Sequence, residues 1–121
     1  CGFTSPHAIW KHVVENNLHL SYSLHDAQVE KMVQKRIQMS PQEYSTVDAL
    51  KGCHVPVLFI HGADDSFVPV SMTYENYRAC TAPKDLLIVP DAEHGMSYLV
   101  EQEKYENAVR SFWAQCEGTT T

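Results

Sequence analysis

Two loops in this sequence carry side chains that could take part in acid–base chemistry. The first loop, residues 61–69, contains Asp64 and Asp65, and the second loop, residues 90–96, contains His94. A carboxylate beside a histidine fixes the tautomer of the imidazole and stabilises its protonated form, which is the supporting half of a nucleophilic triad. The types and the order of these residues, acid first and histidine second, therefore suggest catalysis by proton transfer.

Each residue also has a structural interpretation that needs no catalysis. Asp64 or Asp65 could cap its own turn, and His94 could be an ordinary packed loop histidine. For each loop alone, the structural interpretation is favoured. The two loops follow consecutive predicted strands, however, and in parallel α/β sheets ligands bind beyond the carboxyl ends of the strands. Taken together, the two loops therefore favour a functional site.

The elements that must position these loops are two apolar runs. Residues 55–60 are continuously apolar and β-branched, which is typical of a strand covered on both faces in a parallel sheet. His61 and Gly62 are predicted to break this strand. Residues 86–89 form a second buried run that ends at Pro90. Helical patterns follow both runs, so the sequence predicts two βα units and an α/β fold.

Helix signals occur on both sides of the two runs. Ser5 and Pro6 predict a helix start, as N-cap and first helical residue. Asp26 can cap a second helix, a third short helix should end at Gly52, and residues 71–80 form a fourth. The apolar positions of the first, second and closing helices are Ile9, Trp10, Val13 and Val14, then Val29, Met32, Val33 and Ile37, then Tyr105, Ala108, Val109, Phe112 and Trp113.

The segment 55–69, followed by His94-Gly95, resembles the C-terminal part of an α/β-hydrolase. In that family the strand-end motif G-x-x-D-x-x-V-P carries the triad acid, and the H-G after the last strand carries the base. The resemblance covers residues 53–116 and assigns the acid to Asp65 and the base to His94. It implies that the chain is a partial α/β-hydrolase domain over residues 1–121.

The same resemblance assigns lesser roles to the remaining residues. Residues 1–6 resemble the exit from the preceding strand in bacterial members, and residues 18–45 would be a helical, cap-like excursion. Neighbouring side chains in an extended loop point to opposite sides, so Asp64 should face solvent. Structural or surface roles are expected for three residues around the base: Glu93, Ser97 and Tyr98.

One part of the family pattern is missing from this chain. A serine hydrolase carries its nucleophile on a strand-to-helix turn written G-x-S-x-G, beside oxyanion-hole amides. The five glycines here include no such pair around a Ser or Cys. The nucleophile, the first strands and the oxyanion loop should therefore precede Cys1. The expected whole is a serine hydrolase of small ester, thioester or amide substrates, of which this fragment alone should be inactive.

Two alternatives stay open at this point. The chain could be a non-catalytic α/β interaction module or remnant that uses the same loops to bind a partner. The nucleophile could also be a cysteine, as in some lactone-cleaving relatives. Upstream sequence would separate the enzyme from the interaction module, because a G-x-S-x-G between a strand and a helix supports the enzyme and its absence contradicts it.

Charge, the length of the apolar runs and histidine spacing argue against several kinds of function. The 121 residues carry 15 acidic and 9 basic side chains and a net charge of −6, which argues against nucleic-acid binding. Residues 55–60 are the longest apolar run and are too short to span a membrane. Histidine spacing does not stack two ligands on one helix face, so no metal site is predicted, and the resemblance to an α/β-hydrolase implies no organic cofactor. An open sheet edge predicts a homodimer or an element swap.

The cysteines favour a reducing, cytoplasmic compartment. Four dispersed cysteines form no C-x-x-C motif, and they are predicted to be buried free thiols rather than disulfides. They are Cys1, Cys53, Cys80 and Cys116.

Overall fold

The computed structural model describes residues 2–17, 31 and 45–118. Apart from Lys31, the helix predicted from Asp26 lies outside the described residues, as do Cys1 and all of the 18–45 excursion except residues 31 and 45. The elements in chain order are α1 (Pro6–His12), a π-helical turn (Val13–Asn17), α2 (Thr46–Lys51), β1 (Val57–Gly62), α3 (Val70–Ala79), β2 (Lys84–Val89), α4 (Ser97–Val100) and α5 (Gln102–Gly118).

The predicted start of the first helix is confirmed. Pro6 is the first residue of α1, and the Ser5 side chain accepts a hydrogen bond of 3.1 Å from the Ala8 amide. The predicted apolar stripe is less deeply buried than expected, because no residue of α1 itself is buried. Only Val14, in the π-helical turn, reaches the core, whereas Trp10 stays 39% exposed.

The two strands pair in parallel, which confirms the α/β class. Val57 lies opposite Lys84 and Gly62 lies opposite Val89 at the two ends of the register. Strand β1 starts after Pro56, which has no N–H to donate, and the Val57 amide makes the first bond, 3.0 Å to the Pro83 carbonyl.

The predicted bounds of β1 need correction at both ends. Val55 precedes the strand and is 66% exposed. His61 and Gly62 do not break the strand; they are its last two residues and its only buried ones. Residues 57–60 are half-buried, so the prediction of a strand covered on both faces is wrong for this part.

Helices α2, α3 and α5 form where the sequence predicts them. Helix α2 ends at Gly52, and α3 is shifted by one residue from the predicted 71–80. Helix α3 contacts β1 and buries Met72, Thr73 and Asn76. Helix α5 contacts β2 but has no buried residue. In the described ranges, no helix has the length and apolarity required to cross a bilayer.

Candidate functional site

The loops after β1 and β2 bring Asp65 and His94 together. Asp65 Oδ2 lies 2.8 Å from His94 Nδ1, although the two residues are 29 apart in the chain. Parallel pairing explains this contact, because it places the carboxyl ends of both strands at the same edge of the sheet. The structure thus places the two sequence-predicted site residues in direct hydrogen-bond contact.

Asp65 is held as an ionised acceptor. Its side chain is fully buried, and Oδ1 accepts hydrogen bonds from the amides of Phe67, at 2.9 Å, and Val68, at 2.8 Å. Burial by itself raises the pKa of the carboxyl, but the bonds from Val68 and Phe67 and the contact with His94 outweigh it, so the pKa lies below its ordinary value. The carboxylate is therefore charged at neutral pH without being exposed.

An ionised carboxylate fixes the tautomer of neutral His94. A carboxylate can only accept hydrogen bonds, so the proton must sit on His94 Nδ1, and Nε2 keeps its lone pair. The imidazole is 45% exposed, and its ring lies 5.3 Å from the Phe67 ring, tilted by 57°. His94 can therefore take up a proton at Nε2 from a group on its open side.

The loop after β1, which carries Asp65, and the loop after β2, which carries His94, approach each other closely at Gly62. The Asp64 amide donates to the Ala92 carbonyl at 3.0 Å, so the two loops share a backbone hydrogen bond. A Cβ at Gly62 would overlap the Ala92 carbonyl and stand 2.9 Å from the Glu93 oxygen. A glycine is needed there because the second loop crosses directly over the end of the first strand.

The neighbouring polar residues do not join this contact. Asp64 and Glu93 are exposed, which confirms the predicted orientation of Asp64. Ser97 is buried at the start of α4, and the Tyr98 hydroxyl donates to Glu106 at 3.2 Å. The structure brings Asp65, and not Asp64, to His94.

Sequence reasoning missed a second histidine at the site. His61 is fully buried, and its Nε2 lies 3.2 Å from Asp65 Oδ2 and 2.7 Å from the Val68 carbonyl. Its Nδ1 lies 2.5 Å from the Thr73 hydroxyl on α3. The signal in the sequence is a histidine at the end of an apolar run, four residues before Asp65. Because the pattern predicts a strand break there, it does not point to the site.

An apolar groove of about 360 Å³ opens beside His94. It lies between α1 and the π-helical turn on one side and the loop after β1, which carries Asp65, on the other. His12 ties the two sides together, because its Nε2 donates to the Ser66 carbonyl at 3.1 Å. The lining residues are Phe3, Ile9, Trp10, Val13, Phe67, Val68 and His94.

Metal ligands and disulfides do not contribute to the site in the part of the chain that is described. No group of three or more His, Cys, Asp or Glu side chains within that part could hold a metal ion. Cys53 and Cys80 are free thiols, and Cys80 is buried as predicted, whereas Cys53 and Cys116 are only half-buried.

Comparison with known proteins gives bacterial relatives that are named as uncharacterized, among them the following two. The chain is 38% identical over 71 residues, 59% of its length, to the uncharacterized protein YqkD of Bacillus subtilis, of which the match covers 23%. It is 29% identical over 69 residues, 57% of its length, to the uncharacterized protein Rv2307c of Mycobacterium tuberculosis, of which the match covers 25%. The chain thus spans about a quarter of the curated relatives it matches.

No family model matches the chain. No solved structure matches it either.

Proposed function

We propose that this chain is the C-terminal part of an α/β-hydrolase in which Asp65 and His94 are the acid and base of a Ser-His-Asp triad. The observation that carries the proposal is the 2.8 Å contact between Asp65 Oδ2 and His94 Nδ1. The carboxylate is buried, the imidazole is half exposed, and both follow the carboxyl ends of neighbouring parallel strands. This is the arrangement that a triad base requires.

In the proposed mechanism His94 works through Nε2. It accepts the proton of a serine hydroxyl from the segment that precedes Cys1, while the serine oxygen bonds to the substrate carbonyl carbon. Asp65 stabilises the imidazolium that results. His94 then gives this proton to the leaving group as the carbon–heteroatom bond breaks, and water repeats the sequence to release the acid. No metal or organic cofactor takes part in these steps.

The groove beside His94 supports a substrate with an apolar part. Six of its seven lining residues are apolar or aromatic, and His94 is the seventh. An ester, thioester or amide with a short hydrocarbon group would bury that group in the groove and present its carbonyl near His94. Small acyl substrates are therefore proposed, rather than charged polymers.

The test uses the full-length protein and a series of p-nitrophenyl esters of increasing acyl length. His94→Ala should abolish turnover, because His94 Nε2 is the acceptor of the serine proton in the proposed mechanism, and should leave the melting temperature close to that of wild type. His54→Ala is the matched control, since His54 is exposed and lies before β1. Hydrolysis retained in the His94 variant would remove this residue from the mechanism.

The chemical nature of the nucleophile needs a separate test. A fluorophosphonate probe should label the full-length protein once and should leave the 121-residue chain unlabelled, because this chain contains no G-x-S-x-G turn. Inactivation by iodoacetamide with no fluorophosphonate labelling would indicate a cysteine nucleophile instead. If neither reagent acts and no ester is cleaved, the non-catalytic binding module becomes the better explanation.

A further inference from the structure

The acid of the proposed dyad touches a second imidazole that the triad mechanism does not use. His61 is the penultimate residue of β1 and is fully buried. Its Nε2 approaches the same oxygen, Asp65 Oδ2, that faces His94, at 3.2 Å compared with 2.8 Å. Two histidines thus lie against one carboxylate oxygen, one of them buried and the other half exposed.

The surroundings of His61 fix its tautomer. Val68 offers a carbonyl oxygen, which only accepts, so His61 Nε2 must carry the proton that makes the 2.7 Å bond. Nδ1 can then accept from the Thr73 hydroxyl, which lies 2.5 Å away. Burial disfavours the imidazolium and lowers the pKa of His61, partly offset by its bond to Val68. His61 is therefore a neutral Nε2–H donor at neutral pH.

These bonds close a ring around the acid. The Val68 amide donates to Asp65 Oδ1, and the Val68 carbonyl accepts from His61. Both backbone polar groups of Val68 are therefore hydrogen-bonded. Thr73 connects the ring to α3 through the other nitrogen of His61. The turn that aims Asp65 is thereby tied to a strand and a helix, rather than depending on loop contacts alone.

We propose that His61 is a positioning residue for Asp65: its Nε2–H holds the Val68 carbonyl and with it the 65–68 turn, whose amides fix Asp65 Oδ1 so that Oδ2 faces His94. The expected effect of His61 on kcat rests on the proposed hydrolase function. The effect of His61 on the orientation of Asp65 towards His94 does not, because that orientation can be measured in a protein that has no activity.

The kinetic test compares two substitutions of His61 in the full-length protein. His61→Leu removes the donor, whereas His61→Gln can place an amide N–H near the position of Nε2. We expect His61→Leu to lower kcat about 10- to 100-fold, the scale of a slightly misplaced catalytic group. KM should change less than kcat, because no residue that lines the groove is itself replaced, and His61→Gln should recover most of the lost kcat. A folded Leu variant with wild-type kcat would overturn the proposal.

A merely structural role is tested by Thr73→Val. This change removes the other partner of His61 and leaves the contact between His61 and Asp65 in place. For an equal loss of melting temperature, we expect His61→Leu to lose more kcat than Thr73→Val. Equal losses of kcat at equal losses of stability would show that His61 only supports the fold. His54→Gln, at an exposed position, controls for the loss of a histidine.

A spectroscopic test needs neither activity nor a stable Leu variant. Nitrogen-15 NMR of the wild-type full-length protein at neutral pH should show His61 protonated on Nε2 and His94 on Nδ1. The His94 Nδ1–H resonance should shift in the Leu variant, or less strongly in the Gln variant if the Leu variant does not fold. An Nδ1–H tautomer at His61, or a His94 resonance unmoved by substitution, would refute the proposal even in a protein that hydrolyses no ester.

Discussion

At the scale of single residues, the contact between Asp65 and His94 could be predicted from the sequence, and the contacts of His61 could not. Asp65 and His94 stand out because each follows an apolar strand, and parallel strands end at one edge of a sheet. His61 belongs to the strand itself, where alternation predicts only that a side chain lies on one face or the other. Its role depends on the Val68 carbonyl and the Thr73 hydroxyl, and sequence spacing does not place these groups around it.

The choice of Asp65 over Asp64 predicts an unequal effect of two matched substitutions. Asp65→Asn in the full-length protein should lower kcat by about 10⁴, because an amide N–H facing His94 Nδ1 favours the tautomer that cannot accept the serine proton. Asp64→Asn should leave kcat near wild type, since Asp64 is exposed. Steady-state kinetics on a p-nitrophenyl ester measure both variants. A larger loss in the Asp64 variant would show that the acid is assigned to the wrong aspartate.

The buried histidine predicts that stability falls in mild acid. The pKa of His61 is lowered from 6.5 in the folded protein, so between the folded and unfolded values the unfolded chain binds more protons. Stability is then fully present above pH 6.5 and is lost as the pH falls below it, by at most about 1.4 kcal/mol per pH unit for one proton.

Denaturant unfolding at a series of pH values measures this loss, with His61→Gln as the reference because glutamine does not titrate. The difference in the free energy of unfolding between the two proteins should shrink from pH 7.5 to pH 5. Asp65 acts in the same direction at lower pH, because its lowered pKa stabilises the fold above pH 3.8. Parallel curves for wild type and His61→Gln would contradict the assigned state of His61.

At the scale of elements, the sequence predicts that helices and strands exist better than it predicts where they end. The capping residues Ser5 and Gly52 mark helix ends that the structure confirms, since a cap is a local hydrogen-bond requirement. The predicted end of β1 is wrong because a glycine after an apolar run is typical of a strand end. The actual constraint on Gly62 is the close passage of the loop that carries His94, which is a tertiary contact.

This crossing predicts that Gly62→Ala damages both the fold and the site. The added methyl group would overlap the Ala92 carbonyl, so one loop must move, and we expect a loss of about 1–3 kcal/mol. In the full-length protein kcat should fall as well, because His94 follows directly after the displaced backbone. Gly52→Ala is the control: its nearest neighbour would be an ordinary contact at 3.9 Å. Equal free energies of unfolding for the two variants would show that the loop after β2 does not pass this close to Gly62.

At the scale of the whole molecule, the α/β class was predictable and the groove was not. Two apolar runs alternating with helical patterns suffice for a parallel pair of strands, and the structure has that pair. The groove joins residues of α1 to Phe67, Val68 and His94, which are far away in sequence, and only the folded chain brings them together. Distant juxtapositions of this kind leave no periodic signal in a single sequence.

Much apolar surface of the molecule is left uncovered by the described residues. Strands β1 and β2 pair only with each other within the described ranges, so each has one edge without a partner there. Residues 57–60 are half-buried, while Leu99 and Trp113 are 70% and 65% exposed. An unpaired strand edge beside apolar surface favours pairing with another chain. If upstream strands complete the sheet, as the proposed function requires, the longer protein lacks this tendency.

The 121-residue chain by itself should therefore self-associate, whereas the full-length protein should not do so through this edge. Size-exclusion chromatography with light scattering at two concentrations measures the difference. Leu58→Lys places a charge on β1 and should weaken association of the short chain, because charged edge strands resist pairing. Val55→Lys adds the same charge before the strand begins and should have a smaller effect. A short chain that stays monomeric at both concentrations would show that the edge is protected in some other way.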